Sequence, residues 1–285
     1  MSTDKKPSVV VATITAGRRL GEHSAAIPHR LDYDGPLSYI VNVEFTPQDY
    51  TEHVQDQYET LVQDVRDAWG DRGKVENWCM ESDWRSRPQF DQDQARLWGI
   101  CAGRNFCRDF AMSQDADVLL FLDSDVRVPT DSIPKLLEVM YYKDTLRHYV
   151  VGGMVPGRGV HQEGVYAFWL DGVSHVMVPH SAAHVVTGLP VPVTDIVELV
   201  RVQHATMGFV AMHKTVFNWL PFTWVAATCG EYTDPSGVQP GALSEDPHFG
   251  IMAKRLWGKA GTWVLRTDLK AEHLGSLNNE EVAQF

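Results

Sequence analysis

Two aspartates, Asp123 and Asp125, flank Ser124 directly after the apolar run Val118-Leu119-Leu120-Phe121-Leu122. Along extended backbone, residues i and i+2 share a side, so both carboxylates can face one point. Paired carboxylates where a strand ends suit a hard divalent cation, Mg²⁺ or Mn²⁺, that also touches a diphosphate. The plainer reading is two acids capping the turn that follows. Asp115-Ala116-Asp117 repeats the spacing at the opposite edge of the same strand, where a helix-to-strand turn is expected. A third acidic element is Ser244-Glu245-Asp246-Pro247. Asp before Pro is a standard helix start, with Asp at N-cap and Pro at the first helical position. Phe249, Met252, Ala253 and Leu256 then follow at helical spacing. A carboxylate held there can also act as a base toward a hydroxyl.

Among twelve histidines, His180 and His184 are four apart, but Pro179 and Val185-Val186 favour strand or loop over a helical metal pair. His273 precedes Leu274-Gly275 near the end of the chain. Thr13, Thr15 and Arg18 lie at the carboxyl end of the first apolar run, where a ligand of an open sheet is held. Arg104 is read either as a ligand contact or as an arginine paired with one of the many acids. Trp84, Trp169, Trp219 and Trp224 are candidates for stacking on a ring-bearing ligand, although most of the nine tryptophans suit core or interface positions.

The elements that must position these residues alternate. Val9 to Ile14 is a continuous β-branched run of the kind buried in a parallel sheet. Tyr39 to Phe45 is a second strand. Tyr50, Val54, Tyr58, Leu61 and Val65 mark one face of a helix that Gly70 to Gly73 stops. A helix over 94–112 leads into the strand Asp117 to Leu122. A helix over 133–142 and a strand over 148–154 follow, then a strand over 195–203 and helices near 214–220 and over 247–257. Such alternation predicts a mostly parallel sheet with helices on both faces. Ligands of open sheets of this kind bind beyond the carboxyl ends of the strands. The segment from Trp78 to Phe90 reads as an aromatic loop, and the stretch from Pro156 to Pro192 is rich in Gly, Pro, His and aromatics, with a hairpin signal at Asp171-Gly172.

The 285 residues carry 37 acidic and 25 basic side chains, a net charge of −12. That balance disfavours non-specific binding to a phosphate backbone. Hydrophobic residues at 44% and charged residues at 22% exclude a disordered chain, a collagen-like repeat and a coiled coil. The four cysteines, Cys79, Cys101, Cys107 and Cys229, show no C-x-x-C spacing, which argues against structural zinc and for reduced thiols in a cytoplasmic protein. The apolar run at Val9 is too short for a signal peptide or membrane span, and no other window is long enough to span.

In order, Gly103-Arg104-Asn105, the strand ending in Asp123-Ser124-Asp125, Met207-Gly208-Phe209-Val210-Ala211-Met212, Ser244-Glu245-Asp246 and Asp268 to Gly275 resemble the GT-A-fold glycosyltransferases, most of all the large family 2 group. The resemblance covers roughly residues 7 to 275. Gly103 stands where the family has alanine, and Val43-Glu44-Phe45-Thr46 stands near its acidic pair. The resemblance implies an α/β fold of GT-A (Rossmann-like) type, a mostly parallel central sheet flanked by helices, with a small β-rich insertion. It implies one domain over 1–285: a nucleotide-sugar-binding half over 7–155, an acceptor and catalytic half over 156–275, and a tail over 276–285. The implied activity is transfer of a hexose from a nucleotide-sugar, a UDP-sugar by preference, to an acceptor hydroxyl with inversion. Asp246 would be the base; Thr13, Thr15, Arg18, Arg104, Asp123, Asp125 and Gly208 would bind the donor. Asp123, Asp125 and His273 would hold Mn²⁺ or Mg²⁺. The acceptor is expected to be a glycan or small molecule. A viral-type enzyme acting on hydroxymethylated bases in DNA, a non-catalytic sugar-binding protein and a sugar nucleotidyltransferase are the rival readings. The last should carry a Gly-rich loop after the first strand, where Thr15-Ala16-Gly17-Arg18-Arg19-Leu20 has a single glycine.

Overall fold

The computed structural model describes residues 6–21, 27–28, 31–45, 52–79, 92–142, 145–155, 164–168, 175–179, 199–202, 204–223, 225–226, 242–243 and 245–273. Strands β1 (Val9–Ala16) and β2 (Leu37–Phe45) come first, then helix α1 (Glu52–Trp69), β3 (Gly73–Cys79) and helix α2 (Gln92–Ser113). Next are β4 (Val118–Leu122), β5 (Val126–Arg127), α3 (Ser132–Met140), β6 (Tyr141–Tyr142), β7 (Thr145–Leu146) and β8 (Val150–Met154). The antiparallel pair β9 (Gly164–Phe168) and β10 (His175–Pro179) follows, then β11 (Leu199–Val202), β12 (His204–Ala205), β13 (Phe209–His213) and the short α4 (Lys214–Phe217). The chain continues through β14 (Val225–Ala226), β15 (Ala242–Leu243), α5 (Glu245–Trp257), β16 (Trp263–Lys270) and β17 (Glu272–His273).

Eight strands form the central sheet in the order β11-β16-β8-β13-β4-β1-β2-β3. β3, β2, β1, β4, β8 and β16 run one way; β13 and β11 oppose them. The fold is therefore α/β, with a mostly parallel sheet flanked by helices. β9 and β10, within the stretch 156–192, make a separate three-stranded sheet with β12, which lies beyond that stretch. The order reverses between β1 and β4: from β1 the chain steps outward through β2 and β3, then returns to place β4 on the other flank. Such a reversal opens a crevice at the carboxyl ends of the two strands.

Alternation of side chains divides the core. Val9, Val11, Tyr39, Val41 and Val43 face Leu61 and Val65 of α1 and Ile133 and Leu136 of α3. Val10, Ala12, Ile40, Leu119 and Phe121 face Cys101, Cys107 and Ala111 of α2 and Phe249 and Ala253 of α5. Seating of α2 depends on small residues at four-residue spacing. A Cβ on Gly99 would lie 2.8 Å from Glu44 Oε2, and one on Gly103 would lie 3.1 Å from Asn42 Oδ1 and from Ile14 Cγ2. Glycine at 99 and 103 thus brings the helix down onto β1 and β2. Cys101 and Cys107 are free, buried thiols, pushed up to about 12 by burial. No helix among the described residues is long and apolar enough to cross a membrane.

Two expectations need correction. Helix α5 begins at Glu245, so Asp246 sits inside the first turn and is not the residue before it. Trp78, read as part of a loop over 78–90, belongs to edge strand β3, and residues 80–91 lie outside the described residues. Most of 156–192, including His180, His184 and Trp169, also lies outside them, as do Trp84 and Trp224.

Candidate active site

β4 delivers Asp123 at the switch point. The strand stops because Val126 N–H donates to the Asp123 carbonyl at 3.0 Å, closing a turn over Ser124 and Asp125. Asp125 is 6% exposed, and its Oδ2 lies 3.7 Å from Arg19 Nη1 in the 3-10 turn Gly17–Arg19 that ends β1. The pair of carboxylates is therefore bracketed by both strands of the crevice. β17 then runs antiparallel to β5, setting His273 opposite Val126, the residue after Asp125. Backbone pairing thus brings the chain's last described residue to the D-x-D turn; the His273 side chain lies outside what is described.

Arg104 reaches this turn from α2. It is 4% exposed. Its Nη2 lies 3.5 Å from Asp123 Oδ1, its Nε donates to Glu245 Oε1 at 3.3 Å, and its guanidinium carbon stands 5.0 Å from the centre of the Phe121 ring. Burial alone would push this guanidinium down, but Asp123, Glu245 and Asp246 outweigh burial and drive it up. Arg104 is therefore a fixed cation inside an acidic cluster. Its neighbour Asn105 clamps another segment: Nδ2 donates to the Phe222 carbonyl, and Phe222 N–H donates to Oδ1, both at 2.9 Å. Within Gly103-Arg104-Asn105, glycine permits close approach, arginine joins the acids, and asparagine ties down the chain before α5.

Met207 and Gly208 connect the acids. Asp123 N–H donates to the Gly208 carbonyl at 3.0 Å, while Met207 N–H donates to Asp246 Oδ2 at 3.4 Å. A Cβ on Gly208 would stand 2.9 Å from Asp123 Oδ2, so the bare glycine lets the aspartate lie against the backbone. The Asp246 carboxyl is raised well above its usual range, first by burial and then by the neighbouring Glu245, with Arg104 opposing. Its Oδ1 has no hydrogen-bond partner among the described residues. A base needs such an unengaged oxygen.

The remaining candidates sit differently. Thr13 is 1% exposed, and its hydroxyl accepts from Tyr39 O–H at 3.3 Å within the core. Thr15 is buried at the end of β1 and donates to the Ala16 carbonyl. The Arg18 side chain lies outside the described residues, whereas Arg19 beside it, which sequence reading passed over, contacts Asp125. Asp117 accepts from Ser8 and pairs with Lys214 at 2.7 Å, in the helix-to-strand turn expected for Asp115-Ala116-Asp117. Among the described residues no group of three His, Cys, Asp or Glu side chains forms a metal cage. The Asp123–Asp125 pair still fits a hard cation, since Mg²⁺ is commonly held by one or two carboxylates together with substrate phosphates.

No family model matches the chain, and no curated protein is similar to it in sequence. Solved structures of similar shape include A197 from STIV, 12% identical over 94% of this chain and 85% of that one, with a TM-score of 0.40. The mannosyltransferase PcManGT from Pyrobaculum calidifontis, in complex with GDP-Man and Mn²⁺, is 10% identical over 97% of this chain, with a TM-score of 0.47. S. aureus TarS 1-349 in complex with UDP is 15% identical over 92%, with a TM-score of 0.45. This chain spans 60% of the length of each of the latter two.

Proposed function

We propose that the chain is a metal-dependent, inverting glycosyltransferase of the GT-A type, family 2-like, that moves a hexose from a nucleotide-sugar, a UDP-sugar by preference, to an acceptor hydroxyl. One observation supports this reading above the rest. The Asp123-Ser124-Asp125 turn lies at the β1/β4 switch point and is tied through Arg104 and Gly208 to the acidic start of α5. Strand-end carboxylates in a switch-point crevice suit a diphosphate donor with its cation.

In this reading Asp125 and Asp123, with His273 assisting, hold Mn²⁺ or Mg²⁺, which supplies charge neutralisation for the departing nucleoside diphosphate. The chain's own groups do the rest. Arg104 fixes Asp123 and Glu245 and keeps the acids from rearranging by repulsion. Gly208 leaves room for the donor sugar beside Asp123. Asp246, held by the Met207 N–H through one oxygen, accepts the acceptor hydroxyl's proton through the other, as the hydroxyl oxygen attacks the anomeric carbon and the bond to phosphate breaks. Thr15 and Arg18 border the nucleoside; Thr13, set in the core, acts on that pocket through the position of β1.

The acceptor is a glycan or small molecule. A DNA acceptor would need Arg85, Arg87, Arg158 and Arg104 to share one cationic face. Arg104 is buried among carboxylates, and the other three lie outside the described residues. A mass-spectrometric screen of nucleotide-sugars against glycans, small alcohols and hydroxymethylated DNA tests the reading. Sugar transfer to a soluble hydroxyl supports it. Transfer to DNA alone would replace the acceptor assignment, and donor binding without turnover on any acceptor would favour a non-catalytic sugar-binding protein.

A further inference from the structure

The opposite edge of the sheet carries a second concavity. It is an open cleft of about 870 Å³ whose walls include Arg147, His148, Arg201, Lys259, Arg266 and Glu138. Arg147 and His148 immediately precede β8, and Lys259 precedes β16. Both strands run parallel with β4, so the cleft lies at their starts, whereas Asp123 lies at the finish of β4. A strand of five residues separates the two edges by about 15 Å.

Two of the cations lining the cleft, Arg201 and Lys259, are not balanced by its described walls. Arg266 is neutralised: its Nη1 donates to Glu138 Oε2 at 2.6 Å and its Nε to Asp268 Oδ1 at 2.7 Å. Arg201 is held by neutral acceptors, its Nη1 donating to the Lys259 carbonyl and to Thr262 Oγ1, each at 2.8 Å. Among the described residues neither Arg201 nor Lys259 has a carboxylate in ion-pair contact. His148 Nδ1 is buried without a hydrogen-bond partner. Burial pushes its imidazole down, and Arg201, Arg147 and Lys259, which line the same cleft, push it further. Gathering like charges in a concavity of a protein with net charge −12 has an energetic cost that a bound anion offsets.

We propose that this cleft is an anion site for a small ligand carrying two or more phosphate groups, with Arg147, Arg201 and Lys259 as its cationic contacts. A cleft of this volume suits a ligand of nucleotide size, and the acidic remainder of the surface disfavours a long polyanion. The proposal is independent of the D-x-D turn.

Isothermal titration of inorganic tripolyphosphate into the full chain in EDTA tests it, because chelation removes metal-assisted diphosphate binding at Asp123 and Asp125. The expected result is single-site binding that weakens as salt rises. Lys259→Gln and Arg147→Gln, both at exposed positions and checked for an unchanged melting temperature, should each weaken it about tenfold. Asp125→Asn should leave it unchanged. Equal affinity in wild type and Lys259→Gln, loss in Asp125→Asn, or no heat at millimolar ligand would overturn the proposal. A single-stranded oligonucleotide that bound more tightly than tripolyphosphate through the same two residues would overturn the small-ligand assignment in favour of a nucleic-acid face.

Discussion

Arg104 and Glu245 stand 141 positions apart in the chain, yet Nε and Oε1 meet at 3.3 Å with both side chains only 5% exposed. The contact joins the helix before the D-x-D strand to the helix that carries Asp246. It is both a tertiary clamp and the electrostatic centre of the site.

Removing the cation should therefore be costly. A buried pair that loses one partner leaves a desolvated charge behind, typically at 3–5 kcal/mol. Arg104→Leu is expected to lower stability by about 3 kcal/mol at neutral pH, read as a fall in the urea midpoint. A midpoint unchanged from wild type would show that Arg104 and the acids do not form the cluster described.

Asp246 separates stability from activity. Burial favours its neutral form in the fold, so this group's contribution to stability is fully present below its ordinary value of 3.8 and declines as pH rises toward the raised folded value. Asparagine mimics the neutral form. Asp246→Asn should melt no lower than wild type at pH 7 and bind donor normally, while transfer falls by at least a hundredfold. Anomeric NMR of the wild-type product should show inversion; retention would leave Asp246 as a structural or sugar-hydroxyl-binding residue.

Gly208 tests positioning by backbone. An added methyl would meet the Asp123 carboxylate, with Cβ 2.9 Å from Oδ2 and 3.2 Å from Cγ. Rotation of that carboxylate away from the crevice relieves the clash. Gly208→Ala should weaken Mn²⁺-dependent donor binding about tenfold, equal to about 1.4 kcal/mol, with little change in melting temperature. Unaltered binding would place the donor away from Asp123.

Much of this arrangement was legible in the sequence, because strands of a parallel sheet must be apolar on both faces. Val9 to Ile14 and Val118 to Leu122 announce themselves for that reason, and the D-x-D turn is found by counting from the second. The small-residue row Gly99, Gly103, Cys107 and Ala111 was legible in principle, since four-residue spacing on a helix marks one face. β3 was not, because an edge strand with Lys74, Glu76 and Asn77 shows little apolar signal. Nor was the choice of Arg19 at Asp125, which depends on a 3-10 turn that no local pattern specifies. The cap reading of Asp246 rests on Asp-Pro fitting a helix start, yet Glu245 begins the helix and pairs with Arg104 across the fold. Thr13 sits, by alternation along β1, on the face that turns toward Tyr39.

Acid should destabilise the fold through His213. Its ring is pushed down to about 4, first by burial and then by Lys214, with Asp117 opposing. The unprotonated Nδ1 accepts from Thr215 N–H and caps α4. A depressed histidine makes the unfolded chain the stronger proton binder between pH 4 and 6.5, so stability is full above 6.5 and falls as pH drops through that window. Urea midpoints at pH 7 and pH 5 should differ in wild type and differ less in His213→Asn, which keeps a capping side chain. Parallel pH dependence in the two proteins would contradict this assignment.

The central claim, that the strand-end carboxylates hold a cation for a nucleoside diphosphate, is tested most directly by calorimetry of UDP with and without Mn²⁺ on wild type and Asp125→Ala. The account predicts Mn²⁺-dependent binding in wild type, abolished by EDTA and weakened at least tenfold in the variant. Equal UDP binding by both proteins, insensitive to EDTA, would contradict it.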